Sequence, residues 1–304
     1  MDLDTMLDEA APAQHVRLDG PDSPAAVSLY RQIVAQPPAA ARRRYRLAVP
    51  VLAGAGAIVA LAFVVAPARH DGTAAAVLGQ AALTAARQPA ATVPGPGQYV
   101  YVETVEGERD GAGICVQTVR VWTAPDGSGR EVASAPTGAF CDGGTPSQTF
   151  SKGQGIVTAD LPTDPGRLEQ YIVRHFEGGG REDVAATFHF AGTFLQAGAP
   201  PHVRAALYRL IQGLPGIEAL GPMTDRLGRH GIGVGFTQYG VRDVLIFDPA
   251  TTAVLEREGI AVDPARIDMP PGQARFGAGE VINYTVYKAS GVVNSIGAVP
   301  SAAA

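Results

Sequence analysis

The period of the hydrophobic pattern changes repeatedly along the chain, and each change marks a different element. The first feature is an unbroken apolar run from Leu47 to Ala66, LAVPVLAGAGAIVALAFVVA, without a charged or strongly polar side chain. As a helix it spans about 30 Å, the thickness of a bilayer's hydrocarbon core. Arg42, Arg43, Arg44 and Arg46 stand directly before it. Arginines beside an apolar span hold their side of it in the cytoplasm. The pattern therefore predicts a cytoplasmic tail over 1–46, a transmembrane helix over 47–67 and everything after it outside the cell membrane. A buried core helix would show a polar face, which this run lacks. A cleaved export signal has a shorter apolar core and a shorter preceding region, so an uncleaved signal anchor fits better, although Ala66-Pro67-Ala68 has a small-x-small look.

After the span the period becomes helical over 73–88, with apolar spacing at Val77, Leu78, Ala81 and Ala82. Residues 89–97 carry three prolines and two glycines and read as a linker, so 68–97 is expected as a juxtamembrane helix and linker. From Gln98 the pattern alternates. Strands are predicted over 98–105, 114–122 and 130–133, joined by connections too short for parallel crossovers. The middle third turns helical again. Asp164 caps and Pro165 begins one helix, a second covers 183–196, and Pro200-Pro201 starts a third that stops at Gly213 and Pro215. Alternation returns over 217–223, 232–238, 241–247 and 253–258, and Glu280–Ser290 is expected to close the sheet. Strands, then helices, then strands predict an α+β domain over 98–304, with helices on one face of a curved antiparallel sheet.

Composition narrows the partners. The formal charge is −5 and the pI about 5.7, which argues against nucleic acid, whose binders carry a basic face. The arginines before the span are explained by topology and anionic headgroups, so the lipid bilayer is the first expected partner. Within 1–41, Val27–Val34 has the spacing of a short amphipathic helix. The tail is too short for a core of its own, so it is read as a disordered tail or as a docking peptide for a cytoplasmic regulatory protein. The only cysteines, Cys115 and Cys141, both fall in the part placed outside. An oxidising compartment permits a disulfide between them, worth about 3.5 kcal/mol in the chain-entropy picture. A redox pair would want the cysteines closer together.

Candidate chemistry is sparse. Gly231-Ile232-Gly233-Val234-Gly235 sits inside an alternating strand and lacks the spacing of a dinucleotide loop, so these glycines read as structural. The chain has no phosphate loop, no H-E-x-x-H and no G-x-S-x-G. The histidines show no ligand spacing. His175, Glu177, Glu182 and Asp183 gather around a glycine run, which reads first as a polar loop and second as an acid-base or metal site. Trp122 reads as a core or rim aromatic. Asn283-Tyr284-Thr285 matches a glycosylation acceptor inside a predicted strand. No catalytic residue, metal site or cofactor is predicted, and the chain is read as a non-enzyme.

Several stretches carry a family resemblance. They are the arginine-flanked span, Gly97-Gln98-Tyr99-Val100-Tyr101, Leu161-Pro162-Thr163-Asp164-Pro165, Ala205-Ala206-Leu207-Tyr208-Arg209, Leu214-Pro215-Gly216, Thr224-Asp225-Arg226-Leu227-Gly228-Arg229 and Leu245-Ile246-Phe247-Asp248-Pro249. With them the chain resembles a family of actinobacterial single-pass membrane proteins of unknown function, often encoded beside extracytoplasmic-function sigma factors. The coarse architecture is also similar to lipoprotein-carrier-like half-barrels. The resemblance implies a location and a link to sigma-factor signalling, and no catalytic residues. The tail lacks the cysteines of a zinc-binding anti-sigma domain. Two functions remain open at this stage. One is a non-enzymatic extracytoplasmic sensor or binding domain. The other is a carrier of lipid or another apolar ligand, held between the sheet and the helices of 164–213.

Overall fold

A computed structural model describes residues 73–90, 92–110, 113–138, 147–175, 184–269 and 275–301. The tail, the expected span and Arg42, Arg43, Arg44 and Arg46 lie outside the described residues, as do Cys141, Glu177, Glu182 and Asp183. Among the described residues no helix is long and apolar enough to cross a membrane.

The described chain is α+β. Helix α1 (Ala74–Arg87) precedes strands β1 (Tyr99–Asp110), β2 (Gly113–Thr123), β3 (Gly129–Ala133), β4 (Thr137–Gly138) and β5 (Gln148–Phe150). Helices α2 (Pro165–His175), α3 (Val184–Gln196) and α4 (Pro201–Gln212) follow. Strands β6 (Ile217–Thr224), β7 (His230–Gln238), β8 (Val241–Phe247), β9 (Val254–Ala261) and β10 (Val281–Val293) complete it. The helix boundaries obey their local signals. Asp164 Oδ1 accepts the Arg167 N–H at 2.9 Å and so caps α2. Proline occupies the first turn of α4, where its missing N–H costs nothing.

The strands form one antiparallel sheet in the order β5-β3-β2-β1-β10-β9-β8-β7-β6, with β4 on β2. Each half is a meander, as the short connections dictate. The last strand, β10, joins the sheet as expected and does so in its middle, pairing with β1 on one side and β9 on the other. The physical reason is edge satisfaction. Without β10, the long strands β1 and β9 would each present an unpaired row of N–H and C=O groups. One strand pairs both and joins the two meanders.

The helices cover the β6–β9 half. Helix α4 is the hub, touching α1, α2 and α3. Leu78, Leu168, Ile172, Phe188, Phe194, Leu207, Tyr208 and Ile211 form one buried cluster with Val234, Leu245 and Phe247 of the sheet. These side chains pack the helices onto the β6–β9 half of the sheet. Helix α1 belongs to this core through Val77, Leu78, Ala81, Ala82 and Ala85. It is packed into the domain that the sequence expects to begin at residue 98.

The opposite face explains the glycines of β7. Leu220 and Met223 of the bulged strand β6 fold across it and pack with Val244, Ile246 and Leu255. A Cβ on Gly231 would meet Phe247 O at 2.7 Å and one on Gly233 would meet Met223 Sδ at 2.2 Å. The alternating glycines clear the ground over which β6 curls, which is a packing role.

Candidate binding seam beneath helix α3

Most of α3 is apolar, but one stripe is not. His189, Gly192, Thr193 and Gln196 recur at helical spacing and share one face. That stripe lies over Arg257 of β9. Arg257 Nη2 donates to His189 Nδ1 at 2.9 Å, and Nη1 donates to Thr193 Oγ1 at 3.3 Å. A guanidinium can only donate, so His189 Nδ1 is the acceptor and the ring's proton sits on Nε2. The positive charge of Arg257, reinforced by burial, pushes the His189 pKa down to about 3. The imidazole is therefore held neutral. Gly192 permits the close approach, because a Cβ there would stand 3.2 Å from Arg257 Nε.

Strand register places further polar groups on the same face. Arg257 pairs with Leu245 and with Thr285, and Asp243 lies diagonally across on β8. Glu106 of β1 pairs with Thr285, and Gln117 of β2 with Glu106. Burial pushes the Asp243 carboxyl up to about 6 against the pull of Arg257. Burial also raises Glu106, which accepts from Thr104 Oγ1 at 3.1 Å. It raises the Tyr287 phenol as well, so that group stays protonated. The polar residues among these, Thr104 excepted, are half-buried rather than sealed. Among the described residues Arg257 has only neutral partners and no carboxylate within 4 Å, while the Asp243 carboxyl has no hydrogen bond or ion pair.

The other face carries a latch. Asp225, in the turn between β6 and β7, accepts the N–H groups of Leu227 and Arg229 at 3.0 and 2.8 Å and Arg229 Nε at 2.6 Å. Glu256, 1% exposed, accepts the Arg226 N–H at 2.7 Å. Its second oxygen lies 3.2 Å from Arg226 Nε, an ion pair without hydrogen-bond alignment. Arg226 also donates to Glu258 at 3.0 Å and stacks 4.2 Å over the Tyr284 ring. Burial pushes the Glu256 carboxyl up to about 7 despite Arg226.

An apolar groove of about 180 Å³ opens at the far end of α3, lined by Pro94, Val100, Thr123, Ile156, Val157 and Pro200 among others. Pockets that take drug-sized ligands run to roughly 300–1,000 Å³.

The residues singled out in the sequence are dispersed. Cys115 lies on β2 opposite Gly138 and is not a free thiol, but the expected bridge to Cys141 falls outside the described residues. His175 ends α2, its Nδ1 2.9 Å from Tyr171 O and its ring stacked on Tyr171. Trp122 is buried, and its Nε1 donates to Ala298 O at 2.7 Å. Asn283 sits in a paired stretch of β10 opposite Glu108. Among the described residues no three His, Cys, Asp or Glu side chains come together as a metal ion requires. The seam residues Arg257, Asp243, His189 and Glu106 were not among those singled out. Their signal was a histidine in an otherwise apolar helix and charges at inward positions of alternating strands.

Compared with known proteins, the chain matches no family and no curated protein. Among solved structures it is similar to one described as "Crystal structure of MucB in complex with MucA(peri)", at 10% identity and a TM-score of 0.32. That match covers 75% of this chain, which spans 57% of the length of the other.

Proposed function

We propose that the protein is a single-pass membrane protein whose extracytoplasmic domain is a non-enzymatic sensor, with the seam under α3 as its recognition site and the N-terminal tail as its output. The tail would act on a cytoplasmic regulatory protein, in keeping with the resemblance to proteins encoded beside sigma factors. The observation that carries the reading is the packing of α1. Only residues 68–73 separate it from the expected span, a reach of at most about 22 Å. Since α1 is built into the same core as α3 and α4, a change in how those helices sit on the sheet would reach the span through this short connection. A disulfide between Cys115 and Cys141 suits a domain in an oxidising compartment.

Deletion of residues 1–41 is expected to abolish any response of a regulated promoter while leaving the outer domain folded; an unchanged response would overturn the signalling role. Protease added to intact cells should digest the C-terminal portion, and its protection would overturn the topology. Carriage of a lipid is the poorer reading, because the apolar groove at the end of α3 is about 180 Å³, small for an acyl chain.

A further inference from the structure

The two charges left unmatched in the seam say what kind of ligand it takes. Even half-buried ionised groups tend to find a partner, because partial burial weakens their hydration. Asp243 and Arg257 are diagonal neighbours on one face of the sheet, where Cβ atoms lie about 7 Å apart. That is close enough for an aspartate and an arginine to join. They do not: the guanidinium turns up toward α3 and is clamped there by His189 and Thr193. Both clamps are neutral acceptors, so they orient the cation without quenching its charge. The fork has five N–H donors, of which these two bonds use only part. Asp243 is left facing the same seam with acceptor capacity unused, and Glu106 and the Tyr287 hydroxyl lie on the same face.

Resting on the reading of the seam as a recognition site, we infer that it binds a small zwitterion of the amino-acid class, its carboxylate on Arg257 and its ammonium on Asp243. A bidentate carboxylate–guanidinium pair supplies orientation as well as energy. The aspartate then discriminates against simple carboxylic acids, which would leave it unpaired.

The test uses the full chain in detergent micelles and four probes: glycine, γ-aminobutyrate, acetate and methylammonium. Glycine or γ-aminobutyrate is expected to raise the melting temperature saturably, while acetate and methylammonium leave it unchanged. Asp243→Asn and Arg257→Gln should each weaken the effect by at least about tenfold, the order of one lost charged contact. Arg226→Gln, on the opposite face, should retain it. Where a seam variant melts too low to score, Thr193→Ala replaces it, since it loosens the clamp while leaving both charges in place, and a partial weakening is expected. No stabilisation by either zwitterion, equal stabilisation by acetate, or an undiminished response in Asp243→Asn would each overturn the inference. Failure of the probes with a tail-dependent promoter response intact removes the ligand class alone. Zwitterion binding without a promoter response removes the signalling role and leaves the seam's assignment standing.

Discussion

The two faces of the sheet treat charge in opposite ways. On the latch face every ionised group of the 225–229 turn meets an opposite partner: Asp225 with Arg229, Glu256 and Glu258 with Arg226. On the helix face Arg257 is hydrogen-bonded by neutral groups, and among the described residues the Asp243 carboxyl makes no hydrogen bond or ion pair, feeling Arg257 only across the diagonal. Both regions are assembled on adjacent strands from the same residue types, and Glu256 and Arg257 are sequence neighbours pointing to opposite sides. The difference fits the roles proposed for the two faces. The latch ties a turn down across the curl of β6. The seam keeps charge in reserve, the arrangement expected where something else must complete the pairing.

That contrast can be broken, beginning with the largest effect. Arg226→Ala removes the partner of Glu256, Glu258 and the Tyr284 ring together. It should destabilise the domain by about 3 kcal/mol, because a carboxylate is left buried without its cation. Chemical denaturation would measure this, and a loss below the experimental error would show that the latch does not hold the turn.

The next test is pH. The folded-state pKa of Glu256, about 7, lies above its ordinary 4.5. The folded protein therefore binds that proton more tightly than the unfolded chain. This group's contribution is fully present below pH 4.5 and is lost as pH rises through 7, by on the order of 3 kcal/mol. Glu256→Gln should remove that decline, since the amide oxygen can still accept the Arg226 N–H. His189 has the opposite sign. Its folded-state pKa, about 3, lies below the ordinary 6.5. Its contribution is complete above pH 6.5 and is lost as pH falls toward 3, by about 2 kcal/mol between pH 6.5 and 4.5 after allowing for its partial exposure. Between pH 4.5 and 6.5 the two slopes oppose each other, and Asp243, raised from 3.8 to about 6, adds to that of Glu256. Relative to the unmodified protein, His189→Gln should therefore steepen the rise in stability on acidification, and Glu256→Gln should flatten it. Identical profiles for the two variants would refute the contrast. The smallest effect belongs to Tyr284→Leu, which keeps bulk under Arg226 but removes the ring face. About 0.5–1 kcal/mol should be lost in denaturant titration.

Much of this architecture was readable from the chain itself. Local signals act over a few residues: Asp164 as a cap, Pro201 at a helix start, alternation through 241–247, and the Asp248–Thr252 turn, where Asp248 Oδ1 accepts two backbone N–H groups. Short connections likewise fixed the antiparallel meanders. The central place of β10 was not readable, because nothing in thirteen alternating residues states which strand edges need a partner. Nor was the membership of α1 in the core, since an alanine-rich stripe fits a linker helix as well as a packed one.

The seam shows the same division most sharply. The sequence by itself set the types of group available, the period that turns each side chain up or down, and the apolar run with its arginines that predicts an anchor. Tertiary structure alone decided that His189 and Thr193 would reach Arg257 across some sixty residues of chain, and that Asp243 would be left beside them unmatched. Such pairings depend on which strand lies under which helix. That is settled by burial summed over the whole core, and no local pattern carries it.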